Sequence, residues 1–313
     1  MNILILGAGA VGSLFGGFLA RAGHRVVFLG RRKNNSAIRN NGLKINGIWG
    51  DHCVRNIDCF EDLDRVRKQV TDPFDYAILS VKSYDTRTMV SNYVTTFPEP
   101  ATIISLQNGL ENLETIADIA GPDHTIGGRV ITGIEYQAPG RIQVTVSAAN
   151  PVLGQIKASA RPKAVAAAEL FSASGIKTDH TDTIRTFIWE KVLYNCALNA
   201  LSTILNINYG KLLLAENAKA LITDIITEAY TVIQKENVTV DIKTPEKYLE
   251  RLFTVLIPRT AEHHPSMLQD INNHKKTEID ALNGAIVNLA KKHGLTAPCN
   301  ETISAIIRAK ELL

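Results

Sequence analysis

Gly7-Ala8-Gly9-Ala10-Val11-Gly12 has the G-x-G-x-x-G spacing, whose chemistry is pyrophosphate binding. Gly7 permits a tight turn, Gly9 lets backbone approach a phosphate, and Gly12 lets a following helix pack close to the preceding strand. With Ala8, Ala10 and Val11 these residues form one expected cofactor loop. The helix it opens would offer unpaired N–H groups and a positive dipole end to the phosphates. Glycine turns are common, so the spacing gains meaning only from a strand before it and a helix after it. The end of the next strand reads Gly30-Arg31-Arg32-Lys33, with no acid to meet a ribose 2′-hydroxyl. A carboxylate there would repel a 2′-phosphate, whereas a guanidinium binds one bidentately. The expected cofactor is therefore NADP (as NADPH) rather than NAD, with Arg31 as first contact and Lys33 a solvated loop charge.

A second constellation lies at Lys191, Asn195 and Asn199, spaced by four. On a helix they form one polar stripe, with a rise of roughly 6 Å between neighbours. Their neighbours are almost all apolar, which argues against open surface. A lysine in such surroundings is costly unless paired or functional, so the stripe reads as a site. The alternative is a row of satisfied polar groups facing another helix. Further on, Ser266 and Gln269 match a capping box, with Glu278 expected about three turns along the same helix. Lys82 and Asn108 each follow a core-like strand, where open α/β sheets bind ligands. Either could also be only a strand-end cap.

The elements that must position these residues can be read from periodicity. Ile3-Leu4-Ile5-Leu6 and Val26-Val27-Phe28-Leu29 are short, wholly apolar runs of the kind buried in parallel sheets. Between them Val11, Leu14, Phe15, Phe18 and Leu19 mark one apolar helix face, with Gly23 as its stop. Residues 76–81 and 102–106 read as further core strands. A hairpin is expected at 133–146 around Ala138-Pro139-Gly140, extending the sheet with antiparallel strands, and a smaller one at 43–49 around Asn46-Gly47. From about residue 182 helical periods dominate, near 183–206, 215–236, 244–262, 266–292 and 300–312. The expectation is an α/β Rossmann-type N-terminal domain over residues 1–181 and an all-α C-terminal domain over 182–313, with the active site in the inter-domain cleft.

Bulk properties narrow the class. The 313 residues are 45% hydrophobic and 21% charged, with a net charge of +3, too small and too evenly spread to point to nucleic acid or an anionic membrane. Cys53, Cys59, Cys196 and Cys299 form no CxxC pair and no zinc pattern, so no metal is expected. Free thiols, no leader and no long apolar run lead to an expected cytoplasmic location.

The motifs carry a resemblance. GAGAVG at 7–12, Gly30-Arg31, VKSYD at 81–85, QNGL at 107–110, WEKVLYNCALNALS at 189–202 and SMLQDI…TEIDALNG at 266–284 make the chain similar to the ketopantoate reductase (2-dehydropantoate 2-reductase) family along essentially its whole length. The resemblance implies NADPH-dependent reduction of ketopantoate to (R)-pantoate, a step in pantothenate and coenzyme A synthesis. It makes Lys191 the general acid, Asn195 and Asn199 substrate-binding residues, Ser266 a contact for the substrate carboxylate, and Glu278 a residue beside substrate and lysine. Lys82, Asn108 and Glu278 would also lie on the cofactor side, with Asn108 near the substrate too. The chain departs from the pattern at Asp85, where Gln is frequent, and after the 189–202 stretch, where Asn208 or Tyr209 stands in place of an Asn.

The implied mechanism is hydride attack on a C2 ketone with proton donation from Lys191. An unperturbed lysine has a pKa near ~10.4; desolvation would lower it and Glu278 would raise it. The expected partner is a small 2-keto acid, in a monomer or homodimer. Two rivals remain: a reductase of another 2-keto acid on the same scaffold, and an NADPH-sensing protein without turnover. A sensor needs the glycine loop and Arg31 but not Lys191 with Glu278.

Overall fold

The computed structural model describes residues 1–313. The chain divides into two compact units. The first holds residues 1–107 and 112–184; the second holds 108–111 and 185–313.

The first unit contains twelve strands: β1 (Asn2–Leu6), β2 (Arg25–Leu29), β3 (Leu43–Gly47), β4 (His52–Val54), β5 (Asp58–Phe60), β6 (Tyr76–Leu79), β7 (Thr102–Ser105), β8 (Thr125–Arg129), β9 (Thr132–Ala138), β10 (Arg141–Ser147), β11 (Val152–Gln155) and β12 (Asp179–His180). Eight form one sheet in the order β12-β11-β8-β7-β6-β1-β2-β5. It is parallel except where β11 runs against β8. The strands at its centre are apolar on both faces, and Ile3, Leu4, Ile5 and Leu6 are fully buried. Each such side chain contributes about 1.5–3 kcal/mol by leaving water. β1 pairs with β2 on one side and β6 on the other. The strand order therefore reverses beside β1, and the carboxyl end of β1 is where open α/β sheets bind their ligands.

The hairpin read at 133–146 forms as β9 and β10 but does not extend this sheet. It joins β3 and β4 in a separate four-stranded sheet, order β4-β3-β10-β9. Helix α1 (Ala10–Arg21) packs against both sheets. A Cβ on Gly17 would come within 2.6 Å of Ile45 and 2.8 Å of Leu43, while one on Gly16 would strike Phe28. These two small residues let sheets approach α1 from two sides, so it is buried almost all round rather than on one face. Its end matches the reading: Gly23, at φ +91°, closes the helix by bonding Ala20 O. The smaller hairpin turns later than Asn46-Gly47. Gly47 ends β3, and residues 48–51 make the connection.

Five further helices complete this unit: α2 (Arg32–Asn41), α3 (Leu63–Gln69), α4 (Thr86–Thr96), α5 (Asn112–Ala120) and α6 (Arg161–Ala173).

The second unit is helical: α7 (Ile184–Leu205), α8 (Glu216–Lys235), α9 (Pro245–Arg251), α10 (Ile257–Arg259), α11 (Ser266–Asn272), α12 (Asn283–Lys292) and α13 (Pro298–Lys310). Its core collects Leu193, Ala197 and Leu201 of α7 with Ile222, Ile226 and Ala229 of α8 and Ile286 of α12. Two expectations need correction. Residues 244–262 do not form one regular helix: between α9 and α10 the ladder widens to a π-helical stretch at Leu252–Leu256. Pro258 follows, with no N–H to continue an ordinary ladder. Residues 266–292 are not continuous either. After α11, His274 adopts φ +50° and its N–H bonds Ile271 O, ending the helix in the poor helix formers Asn272-Asn273-His274. Glu278 therefore sits in an irregular segment rather than three helical turns beyond Ser266. The segment is anchored where Glu311 accepts from Thr277 N (2.7 Å) and Oγ1 (2.5 Å).

Residues 108–111 belong to the helical unit for a local reason. Leu110 N–H bonds Ala281 O at 2.9 Å. Gly109, at φ +90°, approaches so closely that a Cβ there would lie 2.6 Å from Ala281.

Candidate functional site

The glycine loop leaves β1 and enters α1. Gly7, at φ +111°, bonds its N–H to Leu29 O, and its carbonyl accepts from Ser80 Oγ at 2.7 Å. A Cβ on Gly12 would collide with Gly7 O and Ser80 Oγ. A Cβ on Gly9 would meet nothing within 4 Å. Gly12 is thus required by the fold, whereas at Gly9 the chain leaves an open cradle. Ala8 lies buried behind it, and Ala10 and Val11 begin α1. That helix opens on Gly9 without a side-chain cap, so its first N–H groups remain for an anion. The residues fit a dinucleotide pyrophosphate.

Asn34, in the first turn of α2, braces the loop. Its Nδ2 donates to Ala8 O at 2.9 Å, and its Oδ1 accepts from Gly140 N at 2.7 Å and from Tyr136 Oη at 3.2 Å. One buried amide so ties the loop to the β9–β10 hairpin. Sequence reading missed Asn34; its signal was a polar pair, Asn34-Asn35, in a turn that must pack behind the glycine loop. Arg31 is exposed at the start of α2. Burial pushes the Tyr136 phenol up, and the Arg31 charge opposes that rise. Lys82, half-buried, follows β6 beside the strand-order reversal.

In the helical unit, α7 carries Lys191, Asn195 and Asn199 as the spacing predicted. Lys191 Nζ donates to Asn108 Oδ1 at 2.5 Å, and Asn108 Nδ2 donates to Glu278 Oε2 at 3.3 Å. The carboxylate can only accept and the ammonium can only donate, so the Asn108 amide is oriented from both ends. Glu278 is 8% exposed. Asn195 is 9% exposed, and its amide finds no partner within the chain. Asn199, also buried, accepts from Tyr209 Oη at 2.5 Å, which leaves its Nδ2 uncommitted. Neither amide contributes a fully enclosed unpaired atom, so the uncommitted groups still reach open space and suit a polar ligand. A cation flanked by amide donors can hold a carbonyl oxygen, stabilise charge that develops there and hand it a proton.

Aromatic residues close the Asn199 end. Tyr209 rests edge-on against Tyr194 and tilted against His263, with centroids 5.8 and 5.2 Å apart. Tyr194 Oη bonds Thr260 Oγ1 at 2.6 Å. Burial pushes the Tyr194 phenol to about 12 and Tyr209 well above its usual value. Burial and then the neighbouring His264 charge lower His263. Ser266 does not form the capping box read from the sequence. Pro265 precedes the helix, no side chain caps it, and Ser266 is exposed in the first turn. Ser266 bonds none of the other candidate residues.

Comparison with known proteins gives a consistent picture. Residues 3–157 match the family model described as "Ketopantoate reductase PanE/ApbA", and residues 183–311 match "Ketopantoate reductase PanE/ApbA C terminal". The chain is 38% identical to a 2-dehydropantoate 2-reductase of Aquifex aeolicus, covering 100% of this chain and 97% of that one. Among solved structures, a PanE/ApbA family ketopantoate reductase from Ralstonia eutropha is 29% identical with a TM-score of 0.85, covering 99% and 98% of the two chains. A D-mandelate dehydrogenase solved with NADH and anilino(oxo)acetate is 27% identical with a TM-score of 0.85 over the same shares.

Proposed function

The chain belongs to the ketopantoate reductase family, and from that premise we propose that it reduces 2-dehydropantoate to pantoate with NADPH. The observation that carries the proposal is the bonded row Lys191–Asn108–Glu278 beside the unpartnered amide of Asn195. A bound nicotinamide supplies the hydride that attacks the keto carbon. Lys191 holds the keto oxygen as charge develops and delivers its proton, so hydride and proton together make the alcohol; water returns the proton to the amine. Asn108 aims the ammonium, and Glu278 holds Asn108. Asn195 and Asn199 bind the substrate, with Ser266 as a contact for its carboxylate. Gly7 to Gly12 hold the pyrophosphate, Arg31 takes the 2′-phosphate, and Lys82 lies on the cofactor side. Retention of the lysine row as well as the glycine loop in one chain supports an enzyme over an NADPH sensor.

A second reading keeps the reaction and changes the partners. The likeness to D-mandelate dehydrogenase with NADH supports another 2-keto acid, or NADH, on the same scaffold. The test is nicotinamide oxidation by the purified protein, offering 2-dehydropantoate beside aromatic and small aliphatic 2-keto acids, with NADPH and then NADH. Turnover confined to 2-dehydropantoate and NADPH upholds the proposal. Preference for another keto acid moves the protein to the second reading, and no turnover on any of them overturns both.

A further inference from the structure

We infer that Tyr209 is a positioning residue: it locks the Asn199 amide so that Nδ2, and not Oδ1, faces the substrate, making this end of the site select a ligand oxygen that accepts a hydrogen bond. The inference rests on the reading of Asn199 as substrate-binding and deepens it.

An asparagine can present either end of its amide, and a phenol can donate or accept. Burial decides between these. Tyr209 is 2% exposed, and its hydroxyl touches one polar side chain, Asn199. If Nδ2 faced the phenol, the oxygen would be satisfied and the phenol proton would have no acceptor. Buried hydroxyl protons find acceptors because orphaning one costs more than a hydrogen bond returns. Oδ1 therefore faces Tyr209 and Nδ2 faces away. Burial also holds the phenol well above its usual pKa, so the donor keeps its proton through the working range.

The phenol is itself fixed. Tyr209 N–H bonds His263 O at 3.2 Å and Gly210 N–H bonds Ala261 O at 2.9 Å. The neighbouring Asn208 is engaged elsewhere, accepting from Lys211 N and donating to Glu262, both at 3.3 Å. Of Asn208 and Tyr209, Tyr209 is the one that bonds Asn199.

Tyr209→Phe tests this directly, because it keeps the ring against Tyr194 and His263 and removes only the O–H. The expected result is a KM for the preferred 2-keto acid raised about tenfold, with kcat changed far less, since a lost hydrogen bond is worth about one decade. The NADPH dissociation constant, read by fluorescence, stays within about twofold. In an Asn199→Ala background the same change has no further effect. An unchanged KM, or an equal loss in both backgrounds, overturns the inference. Should Tyr209→Phe fail to fold, Asn199→Asp serves instead. Tyr209 donates to either carboxylate oxygen, so the site-facing atom becomes an acceptor; a KM raised more than about tenfold is expected, and an unchanged KM overturns the inference. A wild-type protein that binds NADPH but reduces no 2-keto acid refutes the reading of the site itself, and the role of Tyr209 falls with it.

Discussion

Lys191 Nζ donates a 2.5 Å hydrogen bond to Asn108 Oδ1, joining positions 83 residues apart. The bond ties the half-buried lysine of α7 to the short segment 108–111. Lys191→Ala is expected to lower kcat by about 10²–10⁴-fold, the range for a lost general acid, with the NADPH dissociation constant unchanged within about twofold. Asn108→Ala removes one of the groups that hold Lys191 and keeps the ammonium, so its loss is expected to be smaller. Steady-state kinetics beside a binding titration separates the two.

The glycine loop makes a paired prediction. Gly9→Ala adds a methyl that meets nothing in the chain, so melting is expected to be unchanged while NADPH binding weakens at least about tenfold. Gly12→Ala drives a methyl into Gly7 O and Ser80 Oγ and is expected to lower the melting temperature as well. Equal NADPH affinity in Gly9→Ala would remove the pyrophosphate from this loop.

Arg31 is exposed and bonds no carboxylate, so its removal should cost the fold little. Arg31→Ala is expected to weaken NADPH by about tenfold or more, in line with a charge-assisted bond, while NADH binding hardly changes. A loss shared equally by both cofactors would assign Arg31 to something other than the 2′-phosphate.

His263 gives a pH prediction with a definite sign. Its native pKa lies below the ordinary 6.5 because burial disfavours the charged ring. As pH falls, the unfolded chain therefore takes up the proton first. The stabilisation is complete above about 6.5 and declines as pH falls from there toward the lowered native value. His263→Phe keeps an aromatic ring beside Tyr209 and removes this share of the decline. Urea midpoints at about pH 7.5 and pH 5.5, compared between the two proteins, check it; parallel losses would contradict it.

The thiols should divide by environment. Cys53 is exposed, whereas Cys59 and Cys196 are buried. Burial pushes Cys59 to about 12 and Cys196 higher still. A thiol reagent at neutral pH is expected to modify Cys53 in the native protein and to reach Cys196 only after unfolding.

Much of this was legible because it is local. The glycine loop, its flanking strand and helix, and the three-residue stripe on α7 are set by spacings within a few turns of chain. The partition of strands was not. Nothing in residues 132–147 says that β10 will pair with β3 instead of joining the larger sheet; that choice is made by α1, whose Gly16 and Gly17 admit sheets on two sides. The break after Asn272 did have a local signal in three weak helix formers. The bond between Asn108 and Lys191 depends on how distant segments fold back, and the hold of Tyr209 on Asn199 on how the chain turns after α7; side-chain type alone reveals neither.

The four residues 108–111 sit with the helical unit although the chain on both sides of them belongs to the other. This has a consequence for inheritance. A single recombination event near residue 184 would give a hybrid whose lysine came from one parent and whose Asn108 came from the other. The helical half is therefore not a cassette: it stays functional in a new chain only if the donor of Asn108 is already compatible, and a fragment starting at residue 185 carries the lysine without the amide that aims it.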